Sequence, residues 1–258
     1  MQWFVEATGN WRTATGKPAN LCMASFGKPG GKCGIPHEFG STGFGVAHAT
    51  AGAAKLVGLE LKGARVVIHG FGNVGTFAFQ YLTEMGASVI ALADRSGTIY
   101  ASTGLDPALI RDVIKRQCAL RECGNVEHLA TDDFWGIETD ILIPASVTDV
   151  INDSNKNRIR TKIIVEAGNI PMNEQIEQEF FKKGITIVPD FVANAGGVIS
   201  SYAEYRGYNP KRMFELVEKK IVNATKMVLE RAVRQKRNPR EVAMEIARER
   251  VERKMKTM

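Results

Sequence analysis

The sequence predicts an α/β protein built on a doubly wound parallel sheet and closed by helices. Two patterns and one motif predict it. Five short, continuously apolar runs alternate with helical segments, as strands buried on both faces do. The run VVIHGFGNVG (66–75) sets three glycines in GxGxxG spacing directly after one such strand and at the opening of a helix. After Asn194 only helical patterns follow. With right-handed crossovers between its parallel strands, such a chain forms a Rossmann-type domain with C-terminal helices.

The elements follow in order. Residues 1–40 hold a short helix-like start and then a Gly- and Pro-rich segment. Residues 41–57 read as a helix of small residues suited to close packing. The first strand is 64–70, followed by a helix at 77–85 and the second strand at 87–94. An amphipathic helix at 106–120 gathers Leu109, Val113 and Ile114 on one face. Strands at 139–146, 162–168 and 185–190 complete the five. Two long charged helices, 211–236 and 239–255, close the chain.

Charge is unevenly spread. The net charge is +6, yet residues 206–258 carry 16 Lys and Arg against 7 Asp and Glu, so that stretch alone is +9 and the rest is −3. A basic tail can meet nucleic acid or an acidic partner. The plainer reading is a solvated helical face, with no nucleic acid expected. No apolar run reaches the roughly 18 residues that span a bilayer, and the first residues lack the pattern of a secretory signal. Cys22, Cys33, Cys118 and Cys123 show no CxxC spacing. Reduced thiols in a cytoplasmic protein, and no metal site, are expected.

The glycine loop carries the chemistry. Gly70 permits the tight turn, Gly72 lets the backbone approach a pyrophosphate, and Gly75 lets helix and strand pack closely. Asn73 and Val74 complete the loop, and the helix start offers free N–H groups to the phosphates. Asp94 ends the second strand, 24 residues after Gly70. A carboxylate there accepts hydrogen bonds from the adenosine ribose and repels a 2′-phosphate, whereas Arg95 beside it can neutralise one. The cofactor is therefore NAD or NADP, with NAD favoured. His69 reads as a partly buried strand residue. The stretch FGKPGGKCGIP (26–36) holds Lys32 between glycines, like a reactive amine on a turn.

Further strings lie around GFGNVG in a telling order: TGKP (15–18), STGFGV (41–46), LIPAS (142–146), EAGN (166–169) and PDFVANAGGVISSYAEY (189–205). Together they resemble the glutamate dehydrogenase family, within the Glu/Leu/Phe/Val dehydrogenases. The resemblance implies reversible oxidative deamination of L-glutamate to 2-oxoglutarate and ammonia with NAD(P). It also implies that Thr42 and Asn73 hold the nicotinamide carboxamide, that Ala145 and Ser146 line the cofactor, and that Asn169 and Asn194 meet the nicotinamide ribose. Ser201 would reach the distal carboxylate of glutamate. From the residues alone, Asn169 is equally a turn residue and Asn194 a helix cap.

This chain departs from the family pattern at Ser146, usually alanine, at the order Ala167–Gly168, and at Ala203 and Tyr205, where Phe and Trp are usual. In the family the catalytic lysine and carboxylate lie upstream of TGKP, in a substrate domain. Lys32 falls after TGKP, so it is read as a loop residue, as are Lys17 and Lys28, and no catalytic residue is assigned. The expected organisation is an interdomain helix and Gly/Pro-rich segment (1–40), a dinucleotide-binding domain (41–205) and C-terminal helices (206–258). Such a chain would be the cofactor half of the enzyme, lacking its N-terminal substrate domain, inactive alone, monomeric or dimeric, and part of a homo-oligomer in the full enzyme. The alternative is a non-catalytic dinucleotide-binding or regulatory module with a basic helical tail. A complete small dehydrogenase using Lys32 is the third reading.

Overall fold

The apolar runs form the sheet expected of them. The computed structural model describes residues 1–19 and 34–257. Lys28, Lys32, Cys22 and Cys33 lie outside the described residues. Five parallel strands, β1 (Arg65–His69), β2 (Ser88–Asp94), β5 (Ile141–Pro144), β6 (Ile163–Val165) and β7 (Thr186–Val188), stand in the order β2-β1-β5-β6-β7. Side chains alternate between two apolar layers: Val66 and Ile68 enter one, Val67 the other. Helices α2 (Ser41–Leu56), α3 (Asn73–Glu84) and α4 (Pro107–Arg116) cover the first layer. Helix α5 (Glu174–Lys182) and a 3-10 turn bearing Phe134 and Trp135 cover the second.

One edge was not anticipated. Strands β3 (Gly97–Tyr100) and β4 (Glu127–Leu129) extend the sheet beyond β2, both antiparallel. Helix α3 starts at Asn73, four residues before the expected start, because the glycine loop runs straight into it. Helix α4 stops at Arg116, where Gln117 turns left-handed (φ 54°). Its buried face uses Ile110 and Val113, and Ile114 is 38% exposed.

The small residues of α2 serve close packing. A Cβ at Gly43 would press on Phe77 and Ala78 of α3, and Gly45 and Gly52 lie against Ile221 and Thr225. Those two belong to α8 (Pro210–Gln235), which with α9 (Pro239–Met255) joins the same core as α2. Much of the basic tail is matched within itself: Arg231 pairs with Glu245 and Glu249, and Arg237 with Glu241 and Glu245. Among the described residues, no helix is long and apolar enough to cross a membrane.

The N-terminal stretch is held by a buried ion pair rather than by the sheet. Helix α1 (Gln2–Thr8) leads through a 3-10 turn to Lys17, which is a loop residue but fully buried. Its Nζ lies 2.7 Å from Glu204 Oε1, on the helix α7 (Gly196–Tyr205), and donates to the carbonyls of Trp11 and Ala14. The N–H groups of Gly16 and Lys17 donate to the same carboxylate. The ammonium also sits 4.3 Å from the centre of the Trp11 ring.

Glu204→Ala strands that ammonium in a dry site. We expect it to lower the unfolding free energy in urea by about 3–5 kcal/mol. The double variant Lys17→Met/Glu204→Leu should recover part of the loss. A loss below about 1 kcal/mol for Glu204→Ala, the range of an exposed pair, would show that the pair does not anchor the segment.

Candidate functional site

The sheet order reverses at β1, whose neighbours are β2 and β5. The carboxyl ends of these strands are where doubly wound proteins take their ligands, and that edge is the candidate crevice. The chain leaves β1 through Gly70, with φ at +108°, and a Cβ there would lie 2.7 Å from the Ala145 carbonyl. A Cβ on Gly75 would strike the Gly70 oxygen. Packing within the protein therefore requires both glycines. Gly72 differs. Its backbone (φ −89°) suits any residue, and among the described residues no atom outside its chain neighbours and its own helix backbone lies within 4 Å of the position its Cβ would take. No side chain caps α3, so its first N–H groups face this open space.

The rim continues along the strand ends. Ala145 N–H donates to His69 O at 2.7 Å, which ties β5 to β1. His69 Nδ1 lies 2.8 Å from Ser146 Oγ, and its ring stacks on Trp135 with centroids 4.6 Å apart. Burial pushes the imidazole down to a pKa of about 4, so it is neutral at ordinary pH. Beyond Ser146, a Cβ at Gly168 would lie 3.0 Å from its carbonyl oxygen, and Asn169 follows. Asn169 Oδ1 accepts from Asn194 Nδ2 at 2.8 Å. Asn194 ends the short helix α6 (Asp190–Ala193), so it is a helix terminus and a rim residue at once.

Helices α2 and α7 meet at backbone distance on the far side. A Cβ on Gly196 would strike Ser41 O, and one on Gly197 would lie 2.9 Å from Thr42 Oγ1. Ser201 stands four residues beyond Gly197, one turn along the same face, and is half-buried. Asn73 is exposed at the start of α3, and its Nδ2 donates to His37 O at 3.4 Å.

Asp94 is busier than its sequence position foretold. Oδ1 accepts from the N–H and hydroxyl of Ser96, and Oδ2 accepts from Leu120 N–H at 3.0 Å. Burial pushes its carboxyl up, but the hydrogen bonds from Leu120, Ser96 and Gly97 outweigh that and hold it below its ordinary value. It stays ionised while closing the β2–β3 hairpin. Arg95 beside it is exposed. Two residues that the sequence reads only as a strand residue and a loop residue have a further part here. His69 bears on Ser146, and Lys17 pins the segment before α2 to the helix carrying Ser201. Two cavities of about 720 Å³ lie elsewhere, beside α9. The free helix start and the space over Gly72 mark the crevice, not those cavities.

Fold and crevice together define a doubly wound, dinucleotide-binding type of domain. The family model for Glutamate/Leucine/Phenylalanine/Valine dehydrogenase matches residues 33–258, and the chain belongs to that family of oxidoreductases. It is 36% identical to the glutamate dehydrogenase of Aeropyrum pernix, over 99% of this chain and 62% of that protein. It is 34% identical to the NADP-specific glutamate dehydrogenase of Saccharolobus shibatae, over 99% of this chain and 61% of that protein. NAD-specific glutamate dehydrogenases also match, at 33% identity over 67% of this chain. The hetero-hexameric glutamate dehydrogenase of Thermus thermophilus superposes with a TM-score of 0.79 at 27% identity, covering 97% of this chain and 58% of that one. The chain thus spans about three fifths of the length of the Aeropyrum, Saccharolobus and Thermus relatives and less than half of the NAD-specific ones.

The His69 environment predicts a pH dependence. The ring titrates near 6.5 when unfolded and near 4 when folded. Between those values the unfolded chain binds a proton that the folded chain refuses, so this group makes stability fall as pH drops from 6.5 to 4 and adds no slope above 6.5. In thermal melts across that window, His69→Gln should give a shallower fall than the wild type. An unchanged slope would show that the ring is not held neutral.

Proposed function

We propose that this chain supplies the cofactor-binding part of a glutamate dehydrogenase, with Gly70, Gly72, Asn73, Val74 and Gly75 holding the dinucleotide phosphates. The observation that carries the reading is the uncapped start of α3 at Gly72, which the described residues leave uncovered, between two glycines that packing demands. Backbone N–H groups there can meet a pyrophosphate without a side chain in the way. Thr42 and Asn73 would fix the carboxamide of the ring, Ala145 and Ser146 would line its path, and Asn169 with Asn194 would meet the adjoining ribose. When bound, the nicotinamide supplies or accepts the hydride. The protein's part is to orient it and keep water from its reacting face.

The substrate reading is glutamate and 2-oxoglutarate with ammonia, and Ser201 would face the distal carboxylate from α7. Turnover would need the lysine and carboxylate of a substrate domain, so this chain alone would bind cofactor without catalysis. The homo-oligomer belongs to the whole enzyme, in the cytoplasm. Between the cofactors we favour NAD, because Asp94 remains ionised at the adenosine end. Its hydrogen bonds to Ser96 and Leu120 leave fewer lone pairs for a ribose, so its charge is the stronger argument.

NADH and NADPH fluorescence titrations test this. Gly72→Val should leave the melting temperature within about 2 °C, since its neighbourhood is open, yet weaken cofactor binding at least about tenfold. Gly75→Ala should instead lower the melting temperature by several degrees, on the order of 1–3 kcal/mol of overpacking. Binding of neither cofactor by the folded wild type would overturn the reading, as would full affinity in Gly72→Val.

A further inference from the structure

Four charged side chains from four elements meet beneath the Asn169–Asn194 pair. Arg240, in the first turn of α9, reaches Glu166 at the end of β6 (2.5 Å), Glu177 of α5 (2.5 Å) and Asp190 at the start of α6 (3.0 Å). Glu166 and Glu177 are buried, and Oε1 of each finds no hydrogen-bond partner among the described residues. Asp190 is the link upward. Its N–H donates to Glu166 Oε2 at 2.8 Å, and its Oδ2 accepts from Ile170 N–H at 2.9 Å.

Ile170 is the telling residue. Its φ is +48°, a left-handed conformation that a β-branched side chain adopts only under constraint. Its side chain is 53% exposed, so apolar burial does not hold it there. The constraint is polar: Asp190 takes its N–H, and Asp149 N–H donates to its carbonyl at 2.9 Å. Asn169 precedes it directly, so the turn at Ile170 sets where the Asn169 side chain stands. One guanidinium ties three carboxyl groups together, and without it Glu177 and Asp190 would repel each other beside the protonated Glu166.

The geometry points to Arg240 as a positioning residue for the cofactor crevice: through Asp190 and Ile170, the C-terminal helix holds Asn169 in place from behind. This rests on the reading of the crevice as a NAD(P) site. It also carries a pH signature. Burial, with Glu177 and Asp190 nearby, lifts the Glu166 carboxyl to about 8 against the pull of Arg240. At neutral pH Glu166 keeps its proton. As pH rises through 8 it becomes a third negative charge on Arg240, facing Glu177 of α5 and Asp190 of α6.

The test pairs amide hydrogen exchange of the 166–172 segment, which needs no ligand, with NADH and NADPH titrations. Arg240→Leu should raise exchange at Ile170 at least tenfold and weaken the preferred cofactor at least fivefold, with exchange in β1 and β2 unchanged. Arg240→Lys keeps one charge but cannot fork to three carboxylates, and should fall between. Arg237→Leu, in the turn just before the same helix and paired with the partly exposed Glu241 and Glu245, should change neither readout. In the wild type, both the affinity and the protection factor at Ile170, which is the exchange corrected for its base-catalysed intrinsic rate, should fall between pH 7 and 9, and Glu166→Gln should flatten both. If Arg240→Leu fails to fold, Asp190→Asn carries the same comparison. A folded Arg240→Leu with unaltered exchange, or with altered exchange and unaltered affinity, overturns the proposal. If the wild type binds neither cofactor, the function proposed above falls, and the exchange data alone decide whether Arg240 holds the loop.

Discussion

The contact on which the crevice depends is backbone against backbone at the exit of β1. Gly75 comes so near the Gly70 oxygen that no Cβ fits between them, and Gly70 in turn lies too close to Ala145 for one. These two approaches fix α3 against β1 and β1 against the end of β5. They bring an uncapped helix start to the point where the strand order reverses. Gly196 and Gly197 repeat the device against Ser41 and Thr42, bringing α7 beside the same opening. A crevice walled by backbone presents N–H groups and short side chains, as a planar ring and two phosphates require.

What could be read from the sequence divides along physical lines. The five parallel strands were legible because both faces of each are buried, so their composition is almost purely apolar. The β3–β4 edge was not, because Glu127 and His128 face solvent and the pairing is only three or four residues long. The glycine loop was legible because each glycine answers a local steric demand. The Arg240 network was not: its members lie at 166, 177, 190 and 240, on elements whose meeting depends on the finished fold. Lys17 looked like any loop lysine, since nothing near it in sequence announces Glu204, 187 residues away.

Asp94 illustrates why a motif position is not yet a role. Its place at the end of β2 is where a ribose would be met. Yet its oxygens are first committed to Ser96 and Leu120, which close the hairpin that the sequence did not reveal. The same bonds that occupy it keep it ionised. On the function proposed above, its influence on cofactor choice would be exerted through charge as much as through hydrogen bonding, and Arg95 stands beside it with the opposite sign.

The two peripheral parts of the chain are attached by the same physical means. Lys17 and Glu204 bind the N-terminal stretch to α7; Arg240 and its carboxylates bind α9 to β6, α5 and α6. Buried ion pairs are poor sources of net stability, because desolvation consumes most of the attraction. They are good sources of uniqueness, because an unpaired buried charge is so costly that alternative dockings are rejected. An apolar seam would tolerate sliding by a fraction of a turn; a guanidinium fork against three carboxylates does not. Both attachments end within a few residues of the crevice, Glu204 near Ser201 and Asp190 near Asn194. Their placement serves the geometry of the site more than the strength of the fold.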